Sequence, residues 1–267
     1  MNLPPPVLGL RTSTNALLFA VGLMLSLVLM VEVGRRVGIR RSKRDAEGAR
    51  AGLGAVEGAL FGLLGLLIAF TFSGAATRFD ARRAMIVEEA NDIGTAYLRL
   101  DLLPAASQTE LRALFRRYVD LRLELYRRLS EEADVEEIRS EVTQLQGEIW
   151  SVAVRECQRS GSVPTTTLLL PALNSMFDVT STRWLAVIAH PPMVVFGMLT
   201  TLALAGALFA GFGMAGGQSR SWLHILGFAG IMAVTVYVIL DLEYPRRGLI
   251  RLDSADRFLI EVRDSMK

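Results

Sequence analysis

The chain has 267 residues, of which 51% are hydrophobic and 21% charged, with a formal net charge of +2. A mean hydropathy of +0.36 is too high for an ordinary water-soluble domain, and that share of charge is too high for a chain lying wholly in lipid. The near balance of charges excludes a nucleic-acid footprint and an acidic tail, and the single Cys157 excludes an internal disulfide.

Residues 12–31, TSTNALLFAVGLMLSLVLMV, are free of charge and predict a first membrane span over 12–34. A signal peptide does not fit. Only Arg11 precedes the run, the run is too long, and arginine-rich sequence follows it instead of a small-residue cleavage site. That basic loop, 35–50, carries Arg35, Arg36, Arg40, Arg41, Lys43, Arg44 and Arg50 against Asp45 and Glu47. The positive-inside rule places it in the cytoplasm, and a headgroup-binding patch would sit on the same side. Without interleaved aromatics, and caught between two spans, it is no nucleic-acid site.

The second span covers 54–77 and is charge-free from Gly58 to Thr77, enough for about 30 Å of helix. No proline interrupts the pattern until Pro104, so one helix, or two nearly collinear ones, continues from lipid into water through Arg78, Asp80, Arg82, Glu88 and Glu89. Gly54, Gly58 and Gly62 are four apart and form a small-residue stripe. It suits a tight helix contact within one subunit, a contact between subunits, or a pore-facing stripe. Glu57 at the edge of the span is either a solvated interfacial carboxylate or part of an ion path. Arg78 lies about 31 Å along the helix from Glu57, at the other membrane face, and Arg82 shares its side.

Residues 105–161 read as a soluble helical hairpin. Ser107 with Glu110, and Asp134 with Glu137, have capping-box spacing ahead of two amphipathic stripes. The stripes are Leu111, Leu114, Tyr118, Leu121, Leu125 and Leu129, then Val135, Ile138, Val142, Leu145, Ile149 and Val152. The acidic turn SEEAD joins them. Residues 164–190 are apolar but interrupted by Pro171, Asn174, Asp178 and Arg183, which suits a packing or interfacial helix better than a span. Pro191 and Pro192 end it. Spans three and four follow at 193–215 and 221–240, separated by a Gly216-Gly217-Gln218 turn, and a polar tail at 241–267 returns to water. The fold class is therefore all-α: an N-terminal hairpin at 1–77, a helical extramembrane domain at 78–190 inserted between spans two and three, and a C-terminal hairpin at 191–240.

No strand, phosphate-binding loop or metal-spaced Cys/His set is visible, and no cofactor is implied. With only His190 and His224 in the chain, a His-rich metal site is excluded. Glu88 and Glu89 are adjacent on a helix, about 100° apart, so they cannot face each other as an acid–base pair. A structural polar network drawn from Asp80, Glu88, Glu89, Asp178, Arg183, His190, Asp241, Glu243 and Arg246 is a simpler account than catalysis. In it Arg78 and Arg82 pair with these carboxylates, and His190 bonds a backbone carbonyl.

The stretches AFTFSGAATRFDARRAMIVEEANDIGTAYLRLDLLP at 69–104, PALNSMFDVTSTR at 171–183, His190-Pro191-Pro192, and DLEYPRRGLI at 241–250 resemble the bacterial bestrophin-like membrane proteins, a domain family of unknown function. The resemblance implies two spans, a helical insert and two more spans, with a distant link to the bestrophin anion channels. Those are pentamers with a cytoplasmic helical domain and a pore lined by the second span. It implies a multi-pass protein of the bacterial inner membrane that sits in the lipid bilayer as a homo-oligomer and passes inorganic ions. Glu57, Arg78 and Arg82 would then form charged rings at the pore mouths. The rival is a membrane-anchored helical scaffold or sensor, which needs only the hairpin at 107–158 and four anchoring spans. In the bestrophin arrangement the basic loop would lie outside, whereas the charge rule puts it inside, with both termini and the helical domain in the periplasm.

Overall fold

The computed structural model describes residues 13–43, 53–130, 135–216, 221–245 and 248–266. The acidic turn with Asp134, the second half of the basic loop, the Gly217-Gln218 turn and Arg246 lie outside the described residues. Eight α-helices make up the fold among those residues: α1 (Ser13–Ser42), α2 (Leu53–Arg99), α3 (Ala105–Ser130), α4 (Glu136–Ser160), α5 (Val163–Ile188), α6 (Met193–Gly213), α7 (Trp222–Glu243) and α8 (Asp253–Ser265). No strand occurs among them. Four segments are long and apolar enough to cross a membrane, supplied by α1, α2, α6 and α7. Two compact units result. One comprises 1–77 with 190–244, the other 78–189 with 245–267, and the boundary at Thr77 falls inside the unbroken α2.

The first unit is a membrane bundle in which α1 packs on α6 and α7. Apolar side chains gain little from association in lipid, so close backbone approach has to supply the contact. Glycines supply it. A methyl group built at Gly34 would collide with the carbonyl of Leu208, and one at Gly211 with the carbonyl of Val31. At Gly38 it would stand 2.6 Å from the Ala215 Cβ. The close approach expected of Gly54, Gly58 and Gly62 therefore falls elsewhere within the chain: nothing lies within 4 Å of a Cβ at any of the three. Helix α1 also runs on to Ser42, because the straight-chain arginines that follow the apolar run are good helix formers.

The second unit has one core. Ile86 and Ile93 of α2 and Leu100 just beyond its end meet Leu111, Phe115 and Tyr118 of α3 and Leu145 and Ile149 of α4. Leu169, Leu173 and Met176 of α5 join the same core, so α5 is a packing helix of this unit. Each fully buried Leu, Ile or Phe contributes roughly 1.5–3 kcal/mol. The α4 stripe is buried throughout, from Val135 to Val152. On α3 the buried edge shifts to Phe115, Val119 and Arg122, leaving Leu114 and Leu121 half-covered. Gly161 ends α4 at φ 62°, a left-handed cap that suits glycine. Ser162 caps α5, its hydroxyl accepting from the Thr165 N–H at 3.3 Å.

Two local expectations are corrected. Ser107 does not cap α3, which starts at Ala105; its hydroxyl donates to Glu156 of α4 at 2.5 Å and ties the hairpin together. The tail is not a polar appendage. Helix α8 and the residues flanking it bury Leu252, Ala255, Leu259 and Met266 in the second unit, and Arg263 binds both carboxylate oxygens of Asp120 at 2.6 and 2.9 Å. Those four apolar residues recur at helical spacing, a pattern hidden by the six charged residues among them.

The glycine crossing sets a test. Gly211→Ala adds one methyl against a backbone carbonyl that has nowhere to move, an overpacking cost of roughly 1–3 kcal/mol. At about 2–4 °C per kcal/mol for a chain of this size, the detergent-solubilised protein should unfold several degrees lower. Gly22→Ala, where a Cβ meets open space, should leave the unfolding temperature unchanged.

Candidate functional site

In the membrane unit the feature of interest is the first half of α2. Its partners on α6 are few: Phe61 and Leu60 fit against Gly206, and Glu57 lies against Gly213. A Cβ at Gly213 would stand 2.9 Å from the Glu57 Oε1, so the missing side chain makes room for the carboxylate. That oxygen is buried and accepts no hydrogen bond among the described residues. The other sides of α2 are uncovered. Leu63, Leu66, Phe70 and Phe72 are exposed, and Gly58, Gly62 and Gly65 face open space.

At the α6–α7 end of the same unit, His190 stacks on Tyr244 with ring centroids 4.6 Å apart, and its Nδ1 lies 3.6 Å from the Glu243 carboxylate. This separation is too long for a hydrogen bond, and Nδ1 has no other partner among the described residues. His190 thus faces an acid instead of the backbone carbonyl expected of it. Glu243 and Asp241 are both buried on the last turn of α7.

The second unit holds a charged core that only partly follows the sequence expectation. Glu89 on α2 has no solvent access. Its Oε1 accepts from Arg122 Nε at 2.6 Å, and its Oε2 accepts from Arg183 of α5. The Tyr126 ring lies against both guanidiniums, 3.8 Å from Arg183 and 4.9 Å from Arg122, and its hydroxyl accepts from Arg122. A second polar cluster joins Tyr118 and Thr180 at 2.8 Å, with Gln146 of α4 within 3.5 Å of both. Burial alone would raise the Glu89 carboxyl, but the two arginines overcome it and hold it below the usual carboxylate range. Glu89 is twelve residues past the charge-free run, about 18 Å along the helix.

Arg82 is 7% exposed and donates to the carbonyls of Ala186 and Ala189, each at 2.9 Å. Its role is to satisfy the orphan carbonyls at the C-terminal end of α5, where a cation also suits the helix dipole. It does not pair with Asp80 or Glu88, which are exposed, and it is not open to a vestibule. Asp178 is exposed too, outside the Glu89 cluster. Burial and the neighbouring Glu88 and Glu89 raise the carboxyl of half-buried Asp92. Arg122 escaped the sequence reading, although a signal was present: it occupies an inward position of the α3 stripe, four residues from both Tyr118 and Tyr126. A charge there requires a buried counter-charge.

A sequence model of the Bestrophin-like domain matches residues 19–256. Among solved structures, a variant of a bacterial bestrophin homologue from Klebsiella pneumoniae shares the fold at a TM-score of 0.69 and 14% identity, covering 94% of this chain and 98% of the other. A second variant of that homologue gives 0.65 at 14% identity, covering 92% and 99%. A crystal structure described as a membrane protein gives 0.61 at 15% identity, covering 91% and 98%. No curated protein sequence matches the chain.

The charged core makes a double prediction. Removing one partner of a buried pair costs about 3–5 kcal/mol, so Arg122→Met and Glu89→Gln should each markedly lower the unfolding temperature of the second unit. A carboxyl held below its ordinary value stabilises the fold above that value and loses its contribution as pH falls. Wild-type stability should therefore drop below about pH 4.5, the ordinary glutamate value. In Glu89→Gln that component of the acid loss should be absent, as read by thermal unfolding across a pH series.

Proposed function

The chain belongs to the bestrophin-like domain family, and from that premise we propose that it assembles as a homo-oligomer in the bacterial inner membrane and conducts small inorganic ions along α2. The observation that supports this reading is the uncovered membrane half of α2. Helix α1 packs on α6 and α7, while α2 leaves Leu63, Leu66, Phe70 and the Gly58–Gly62 stripe without a partner in its own chain. Copies arranged around an axis would bring these surfaces together. The stripe then acts between subunits or along the conduction path, the two readings left once the intrachain contact falls elsewhere.

On this reading, residues at the two ends of the α2 span set ion preference. Arg78 from each copy would form a cationic ring, which raises the local anion concentration. Glu57 would form a ring of opposite sign about 31 Å away along the helix, which tempers anion selectivity. Arg82 takes no part, since its guanidinium is committed to α5. Of the polar network, Glu89 and Arg183 hold the second unit together.

Planar-bilayer recording of the purified full chain tests the proposal. Ohmic currents with a defined reversal potential in a salt gradient support it. Silence together with a co-purifying protein would support the scaffold or sensor reading instead. Arg78→Gln should shift the reversal potential toward cations, whereas Arg82→Gln should lower stability and leave the reversal potential in place. Sidedness is read separately. An introduced cysteine at Ser42 should resist impermeant labelling in whole cells, and one in the segment 130–134 should react. The reverse pattern would put the helical domain in the cytoplasm.

A further inference from the structure

At 100° per residue, the two sides of α1 can be followed along its whole length. Val31, Gly34 and Gly38 form the side buried against α6. The side diametrically opposite begins with Leu18, Leu25 and Leu29, which are 63, 64 and 62% exposed. It continues without a change of direction into Arg36, Arg40 and Lys43, all exposed. An apolar strip of about 17 Å from Leu18 to Leu29, about half the thickness of a bilayer core, therefore runs straight into a cationic strip of about 11 Å from Arg36 to Lys43.

The charge on that strip is largely uncompensated. Residues 31–43 hold Arg35, Arg36, Arg40, Arg41 and Lys43 against Glu32 alone. Glu32 takes Arg36 at 2.8 Å and Arg35 at 3.9 Å, while Arg40, Arg41 and Lys43 pair with no carboxylate among the described residues. Arginine and lysine on long apolar stems suit this place, where the stem lies along the hydrocarbon edge and the charge reaches the headgroups.

We propose that this face of α1 is a binding site for an anionic phospholipid, with an acyl chain along Leu18, Leu25 and Leu29 and the phosphate headgroup held by Arg36, Arg40 and Lys43. Charge complementarity selects this occupant over a second copy of the chain. The only carboxylates described at that end of the membrane unit are Glu32, already paired, and Glu57, which lies against Gly213. The need for both an apolar strip and a cationic one selects a lipid over free phosphate.

The test uses the purified full chain in detergent, with dioleoylphosphatidylglycerol or dioleoylphosphatidylcholine added, and counts retained lipid by native mass spectrometry. Each basic residue near an anionic surface strengthens attraction by a factor of about five. The wild type should therefore retain phosphatidylglycerol at least about tenfold better than phosphatidylcholine, and the triple variant Arg36→Gln, Arg40→Gln, Lys43→Gln should lose that preference. Charge-preserving Arg36→Lys and Arg40→Lys should keep it, which also covers the case where the triple variant does not fold. Millimolar inorganic phosphate should not displace the lipid. Equal retention of both lipids by the wild type, or an unchanged preference in the triple variant, would overturn the proposal. So would displacement by phosphate, or a triple variant whose defect is a changed oligomeric state with lipid preference intact.

Discussion

A carboxylate without access to water needs positive charge brought to it, and Glu89 imposes that requirement on the second unit. It sits on α2 among Ile86, Ala90 and Ile93, where an apolar side chain would pack without help. Ionised there alone it would be prohibitively costly, so Arg122 of α3 and Arg183 of α5 must both reach it. Three helices are thereby fixed in rotation as well as in distance. Oil-like packing of leucines tolerates slippage, whereas two directional guanidinium contacts on one carboxylate do not. Tyr126 supports the arrangement by offering its ring to the second guanidinium and its hydroxyl to the first.

The membrane unit solves a different problem with different means. Water cannot drive its helices together, so α1 and α6 touch through backbone at Gly34 and Gly211, and bulk is excluded from those positions. Helix α2 is built otherwise. A Cβ at Gly54, Gly58, Gly62 or Gly65 would meet nothing within 4 Å, and Leu63, Leu66, Phe70 and Phe72 point outward. The same residue type thus does opposite work in adjacent spans, closing an interface in one and leaving a surface open in the other.

These contrasts mark what was legible in the amino-acid order. Charge-free runs of membrane length and the 3.6-residue stripes are local properties, and they located the four spans and the hairpin helices, including every buried position of α4 from Val135 to Val152. Partner choice is not local. Glycine spacing singled out Gly54, Gly58 and Gly62, but spacing carries no record of which surface faces a neighbour, and Gly34 with Gly38 had the same spacing beside distracting arginines. Arg82 was expected to pair with carboxylates or to join a pore mouth, because backbone carbonyls such as those of Ala186 and Ala189 are partners that no side-chain pattern announces. Glu89 and Arg183 were singled out as network members, while their third partner Arg122 was hidden inside a stripe read as apolar.

Helix α8 has a consequence for how the protein is made. Leu259 and Met266, near the end of the chain, belong to the core that Ile86 and Phe115 begin. Residues 190–244, with two entire membrane spans, come between those parts of the core in the chain. A ribosome adding about 5–20 residues per second therefore leaves the second unit lacking a side of its core for several seconds while α6 and α7 are being delivered to the bilayer. The first unit waits as well, since α1 meets α6 only after 150 residues of other sequence have emerged. Neither unit can be finished before the other has been threaded, because α8 closes a core whose other helices precede α6 and α7.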